Sequence, residues 1–123
     1  MMLPRNRFML MAVLWFAAGI YFLIFRESDS SNPPPFLHFD KFAHFALFFA
    51  QFWLLAKAFF SDGLTIPYGK LMITALCYAV ASETAQAWLT TTREGSLLDG
   101  AADLAGAATA LWTAAKVVAA KST

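Results

Sequence analysis

The sequence predicts an all-α integral membrane protein, a single bundle of four transmembrane helices, on three observations. Hydrophobic residues make up 59% of the 123-residue chain and charged residues only 14%, well below the quarter usual in soluble domains. The apolar residues, among them 13 Phe and 4 Trp, are bunched into four long runs of the kind a bilayer demands. Between the runs stand short polar breaks rich in Pro, Gly, Ser and Asp, the residues that end helices and make turns. A soluble domain of this size needs a polar skin over a large share of its surface, and the charge content is too low to make one. The length corresponds to one domain, residues 1–123.

The first run, 8–25, follows Arg5 and Arg7. A basic start and an apolar stretch also describe a cleaved signal peptide. The run is longer than a signal core, however, and no small-x-small cleavage pattern follows Phe25, so it reads as a retained helix. Residues 26–35 read Arg-Glu-Ser-Asp-Ser-Ser-Asn-Pro-Pro-Pro, and a proline run cannot continue a helix. A second helix is expected over 39–60, closed by Ser61-Asp62-Gly63. A third is expected over 68–89, entered through Ile66 and Pro67. After the polar stretch 90–95, a fourth runs over 97–118.

With helices alternating in direction, the basic residues divide unevenly. Arg5, Arg7, Lys57, Lys70, Lys116 and Lys121 fall on one side; Arg26, Lys41 and Arg93 fall on the other. Lys and Arg concentrate on the cytoplasmic side of membrane proteins. The division therefore predicts cytoplasmic N- and C-termini in a multi-pass membrane protein. A net charge of +1 with no basic block gives no basis for nucleic-acid binding. The single Cys77 has no partner for an internal disulfide and reads as a small packing residue.

The outer side gathers the unusual polar residues. Asp40, Lys41 and His44 open the second helix, Glu83 and Gln86 approach the end of the third, and Asp99 and Asp103 open the fourth. At about 1.5 Å of rise per residue, His44, Glu83 and Asp103 each lie roughly 6–10 Å below their helix ends, so three separate stretches deliver polar groups to one layer. Asp40 and His44, four apart, share a face that Gln51 continues, while Phe42, Phe45, Phe49 and Phe52 form a stripe expected to face lipid. Ala75 and Ala79 extend the Glu83 face. Ala102, Gly106 and Ala110 make a small-residue seam on the fourth helix that lets a neighbour approach.

Several of these residues have ordinary structural roles open to them. Ser96 with Asp99 forms a variant of the capping box at the start of the fourth helix, where Asp99 also suits the helix dipole. Lys41 can snorkel to the interface. Arg93 and Glu94 can be solvated loop charges, and Trp88 suits an interfacial anchor. His44, Glu83 and Asp103 are harder to place so simply. Ionisable groups below the interface cost about 2.5–3.5 kcal/mol each on insertion scales, and several at one depth imply mutual pairing or a polar pocket.

Three ordered pieces carry a resemblance to a known family: Asp40-Lys41-x-x-His44-Phe45, then Glu83-x-x-Gln86, then Arg93-x-x-Ser96-x-x-Asp99-x-x-x-Asp103-x-x-Gly106. In these residues the chain resembles the VanZ-like family of small bacterial membrane proteins, over helices two to four; the first helix matches only in hydrophobicity. Asp103 stands where that family often has Asn, and Ala110 where a second Gly is common. The resemblance implies a cell-envelope role of the kind linked to resistance against the glycopeptide teicoplanin. It implies no reaction.

Three functions fit the residues. The first is an outward-facing pocket for an envelope lipid or glycopeptide-related ligand, with Lys41 and Arg93 holding an anion and His44 and Glu83 exchanging protons. No cofactor is required, although His44, Glu83 and Asp103 are acceptable ligands for a divalent metal. The second is an accessory membrane subunit whose polar layer fixes helix packing or partner choice. The third is a small multidrug transporter, which would need a carboxylate near the midplane reachable from both sides. A cluster confined to one side fits that function least.

Overall fold

The structure is a computed structural model that describes residues 3–22, 39–89 and 97–121, with side chains for 3–22, 42–85 and 100–121. It contains four α-helices: α1 (Arg7–Ile20), α2 (Phe39–Ser61), α3 (Tyr68–Leu89) and α4 (Leu97–Lys121). No strand occurs among the described residues.

Helix α1 begins where Asn6, in extended conformation, accepts hydrogen bonds from the backbone N–H groups of Phe8 and Met9 at 3.0 and 3.1 Å. An Asn cap of this kind satisfies donors that the first helical turn leaves unpaired. The same side chain donates through Nδ2 to the Ala58 carbonyl at 2.8 Å, while the Arg5 N–H donates to Asp62 Oδ2 at 2.8 Å. The start of α1 is thereby stitched to the end of α2. Further along, Gln51 Nε2 donates to the Ala12 carbonyl at 3.1 Å and Trp15 Nε1 to the Leu47 carbonyl at 3.0 Å. The paired numbers run in opposite senses, so α1 and α2 are antiparallel. Hydrogen bonds from Asn6 and from the Arg5 backbone hold the Asp62 carboxyl below its ordinary value. Its contribution to stability is present above the ordinary carboxylate range and lost as pH falls through the lowered value.

The turn from α2 to α3 is set by Gly63, whose φ of +71° lies in the left-handed region. The Gly63 N–H donates to the Phe60 carbonyl at 3.1 Å and the Leu64 N–H to the Phe59 carbonyl at 2.9 Å. This pair of bonds is the Schellman termination, which uses Gly because a side chain is strained at that φ. Pro67 then precedes α3, where its missing N–H costs nothing.

Helices α2 and α4 form the most extensive pair in the bundle. Phe48, Phe52 and Phe59 of α2 join Ala107, Ala110, Leu111 and Ala114 of α4, and Ala75 and Ala79 of α3, in one core. Large aromatic side chains from one helix thus fill the space left by alanines on the other two. At the far end Lys121 of α4 lies 5.6 Å from the Phe60 ring of α2, which makes α2 and α4 parallel. At Gly106 the two backbones come close: a Cβ there would collide with the Phe45 carbonyl oxygen and sit 3.1 Å from the Phe49 nitrogen.

The structure revises several sequence expectations. Helix α1 is a regular α-helix over Arg7–Ile20, and Tyr21, whose N–H is shared between the Ala17 and Ala18 carbonyls, and Phe22 continue it in a wider helical turn; positions 23–25 of the expected run lie outside the described residues. Helix α4 continues past 118 to Lys121. Phe52 does not belong to a lipid-facing stripe. It is 1% exposed beside Phe48, because residues four apart are only about 40° apart around a helix. Phe42 does face outward. Cys77, expected to pack, is exposed. One helix, over Phe42–Ser61, is long and apolar enough to cross a membrane, and α1 is a shorter apolar helix. No other described helix reaches that mean hydropathy, since alanines, threonines and charged residues replace larger aliphatic side chains in α3 and α4.

The two glycines make a paired test of this packing. Gly63→Ala meets no atom within 4 Å and should cost only the left-handed strain of about 1–2 kcal/mol. Gly106→Ala must push α2 away from α4 and should cost about 3 kcal/mol or more, the upper end of overpacking effects. Thermal or denaturant unfolding of the two purified variants measures the difference. Equal losses would mean that the helices separate at Gly106 without penalty.

Candidate functional site

The site is built from one residue on each of three helices. Helix α2 supplies His44, α3 supplies Glu83 and α4 supplies Asp103. His44 and Asp103 are 0% exposed, and Glu83 is half-buried. The His44 Nδ1 and Asp103 Oδ1 atoms are 2.8 Å apart, at the short end of the range for nitrogen–oxygen hydrogen bonds. Each of the three side chains offers a donor atom within 4.8 Å of the other two.

The backbone explains why these side chains meet. Gly106 lies one turn along α4 from Asp103 and rests against the backbone of Phe45, the residue after His44. The absence of a Cβ lets the two parallel helices come close enough for a short imidazole–carboxylate bond to span them. On α3, Ser82 beside Glu83 is also buried and donates to the Ala79 carbonyl at 3.1 Å. This hydroxyl therefore serves its own helix.

An aromatic layer lies one turn deeper. Tyr78 of α3 stacks on Phe48 of α2, with ring centroids 4.7 Å apart and planes 21° apart, and meets Phe16 of α1 at 5.0 Å. Its hydroxyl lies where a Cβ on Gly19 of α1 would come within 2.9 Å. Rings from α1, α2 and α3, with Gly19 of α1, thus make an apolar layer beneath the cluster. In such surroundings a hydrogen bond to a charged group is stronger, and an unmatched charge more costly, than in water.

Of the residues singled out in the sequence, His44, Glu83 and Asp103 come together. Asp40 and Lys41 stand in the first turn of α2, Gln86 in the last turn of α3 and Asp99 in the first turn of α4, all at the same end of the bundle. Their side chains lie outside the described residues, as do Arg93 and Ser96 entirely. The capping role for Ser96 with Asp99 and the anion-holding roles for Lys41 and Arg93 therefore fall outside the described residues too. Gln51, on the face of His44, turns instead to the Ala12 carbonyl. Tyr78, Phe48 and Gly19 were not singled out, because an aromatic or a glycine within an apolar run carries no sign of which way it faces. The one legible signal was Tyr78 itself, a hydroxyl placed between the small residues Ala75 and Ala79.

Chemically the arrangement does two things. An imidazole held by a buried carboxylate is fixed in tautomer and orientation, as general acid–base groups and metal ligands need. A second carboxylate within reach supplies another acceptor or ligand.

A double-mutant cycle tests the pair. His44→Leu, Asp103→Leu and the double variant should give a coupling energy of about 1–3 kcal/mol in unfolding experiments. Asp103→Asn, which keeps an acceptor for Nδ1–H, should lose less than Asp103→Leu. Additive losses in the cycle would dissolve the pair. No known protein family, curated protein or solved structure matches the chain, so the functional reading rests on these residues and their geometry.

Proposed function

We propose that the chain is a VanZ-like, four-span protein of the bacterial cytoplasmic membrane whose His44–Glu83–Asp103 cluster forms an outward-facing pocket for an envelope molecule. The observation that carries the reading is the buried 2.8 Å His44–Asp103 contact with Glu83 alongside, assembled from three helices in an otherwise apolar bundle. A buried ion pair is a poor source of stability, because the desolvation of two charges rivals their attraction. A seam of Gly and Ala would pack α2 against α4 without it.

The membrane setting is supported by what the bundle leaves exposed. Leu10, Val13, Leu14, Ile73, Val80 and Trp112 are all more than half exposed, and soluble monomers rarely present so much apolar surface. The candidate span at Phe42–Ser61 lies parallel to α4 and antiparallel to α1, so these three helices can share one direction across a bilayer. Lys57 and Lys121 converge on Phe60, with Lys57 also over Phe8, at the end of the bundle opposite the cluster. Basic residues at that end support a cytoplasmic location for it, with the cluster at the outer face. The ordered motif pieces of α2 to α4 support the VanZ-like reading and the envelope role. The ligand class is an envelope lipid or a glycopeptide-related molecule.

Two measurements test this. In a Cys77→Ser background, Ser30→Cys and Thr92→Cys should react with a membrane-impermeant thiol reagent from outside, and Ser122→Cys should not. Reaction at Ser122 alone would put the cluster in the cytoplasm. Glu83→Gln keeps the shape of the side chain and removes its charge and proton exchange. A working pocket predicts a variant that melts near wild type yet fails to restore the envelope phenotype of a deletion strain. A variant that is folded and fully complementing would reduce the cluster to a packing device.

A further inference from the structure

We infer that His44, Glu83 and Asp103 bind one divalent transition-metal ion of the zinc class, joining α2, α3 and α4 at the outer end of the bundle. The inference deepens the pocket reading and rests on it for its place in function, but the binding itself stands on geometry alone.

The donor set comes first. One imidazole and two carboxylates make a mixed nitrogen–oxygen site, which suits Zn2+ and its first-row neighbours, whereas Ca2+ and Mg2+ favour oxygen ligands throughout. The three donors come from three different helices, so they are spaced by the bundle and not by a single turn. Helix-borne ligands are also held more firmly than ligands on loops.

Distance comes second. Zinc bonds of about 2.0–2.1 Å in tetrahedral geometry place ligand atoms roughly 3.3 Å apart. The donor atoms here all lie within 4.8 Å of one another, and the His44–Asp103 pair is already at 2.8 Å. Side-chain torsions alone can close the remaining gap, without moving a helix.

Charge comes third. Asp103 is buried and Glu83 half-buried, one imidazole supplies at most one internal neutralisation, and a divalent cation matches the pair of carboxylates in full. Three protein ligands leave a fourth position for an oxygen donor, the arrangement typical of catalytic zinc. A phosphoryl or carboxylate oxygen of an envelope molecule would fit that position, and the metal would act there as a Lewis acid.

The test uses the full chain purified in detergent without a histidine tag, stripped with a chelator and titrated with Zn2+ by calorimetry. Co2+ titration followed by visible absorption reports the coordination geometry. The expected result is one saturable site per chain and a melting temperature that rises with free Zn2+. His44→Ala, Glu83→Gln and Asp103→Asn, each shown folded by circular dichroism, should weaken binding by at least about 100-fold, the upper end of the losses seen when a metal site loses even an outer-shell partner. Cys77→Ser should bind as wild type, because the exposed thiol has no part in the site. A folded wild type with no saturable one-to-one binding would overturn the inference, as would unchanged binding by all three single variants. If Zn2+ fails to bind while Glu83→Gln still loses the envelope phenotype, the metal falls and the pocket stands.

Discussion

The close approach of α2 and α4 at Gly106 is the constraint on which the rest of the bundle depends. A Cβ at that position would lie inside the Phe45 carbonyl, so the approach exists only because the residue is glycine. Everything at the cluster's end of the bundle follows from it. The helices come near enough for His44 to reach Asp103. Ala107 and Ala110, one and two turns along the same face, are then covered completely by Phe48 and its neighbours. Small residues at a helix interface trade side-chain volume for backbone contact, the currency of packing where lipid competes equally for apolar groups.

The two ends of the bundle are held by different physics. At the end where α1 begins the ties are backbone-directed and partly solvated: Asn6 to Ala58, the Arg5 N–H to Asp62, and lysines over the faces of Phe8 and Phe60. None demands the burial of a full charge, and lysine stems can lie along aromatic rings with their ammonium groups in water. At the cluster end a His–Asp pair is buried above a floor of Phe48, Phe16 and Tyr78. There the low-dielectric setting strengthens a matched interaction and raises the cost of an unmatched one.

Much of this was legible in the residues, and the reasons differ from element to element. Gly63 and Pro67 mark the α2–α3 turn because each has a backbone preference independent of its neighbours, and α3 has the expected bounds. The meeting of His44, Glu83 and Asp103 could be read from alternation of helix direction plus equal depth, with no knowledge of side-chain rotation. Phe52 and Cys77 were misplaced because helical spacing gives relative angles and not the direction of the core. A stripe of four Phe spans enough of the circumference that one edge, Phe52, turns inward with Phe48. The part played by α1 was not legible at all. Trp15 donating to a carbonyl of α2 and Gly19 receiving the Tyr78 hydroxyl depend on how two apolar helices rotate against each other, and hydrophobicity alone is blind to that rotation.

The cluster costs more than the seam needs. The α2–α4 interface already has Gly106, Ala107, Ala110, Leu111 and Ala114 facing a row of phenylalanines. Extending that pattern outward by one turn, with an alanine at 103 and an aliphatic residue at 44, would satisfy every requirement of packing. The chain instead places an imidazole and a carboxylate at full burial and brings a second carboxylate to within 4.8 Å of both. Replacing such buried pairs by apolar residues of similar volume is commonly neutral or stabilising, by up to about 4 kcal/mol. A helical bundle therefore gains little stability from these three residues, and their chemistry is what they add: a fixed imidazole, two acidic oxygens, and an apolar floor that magnifies any charge placed among them.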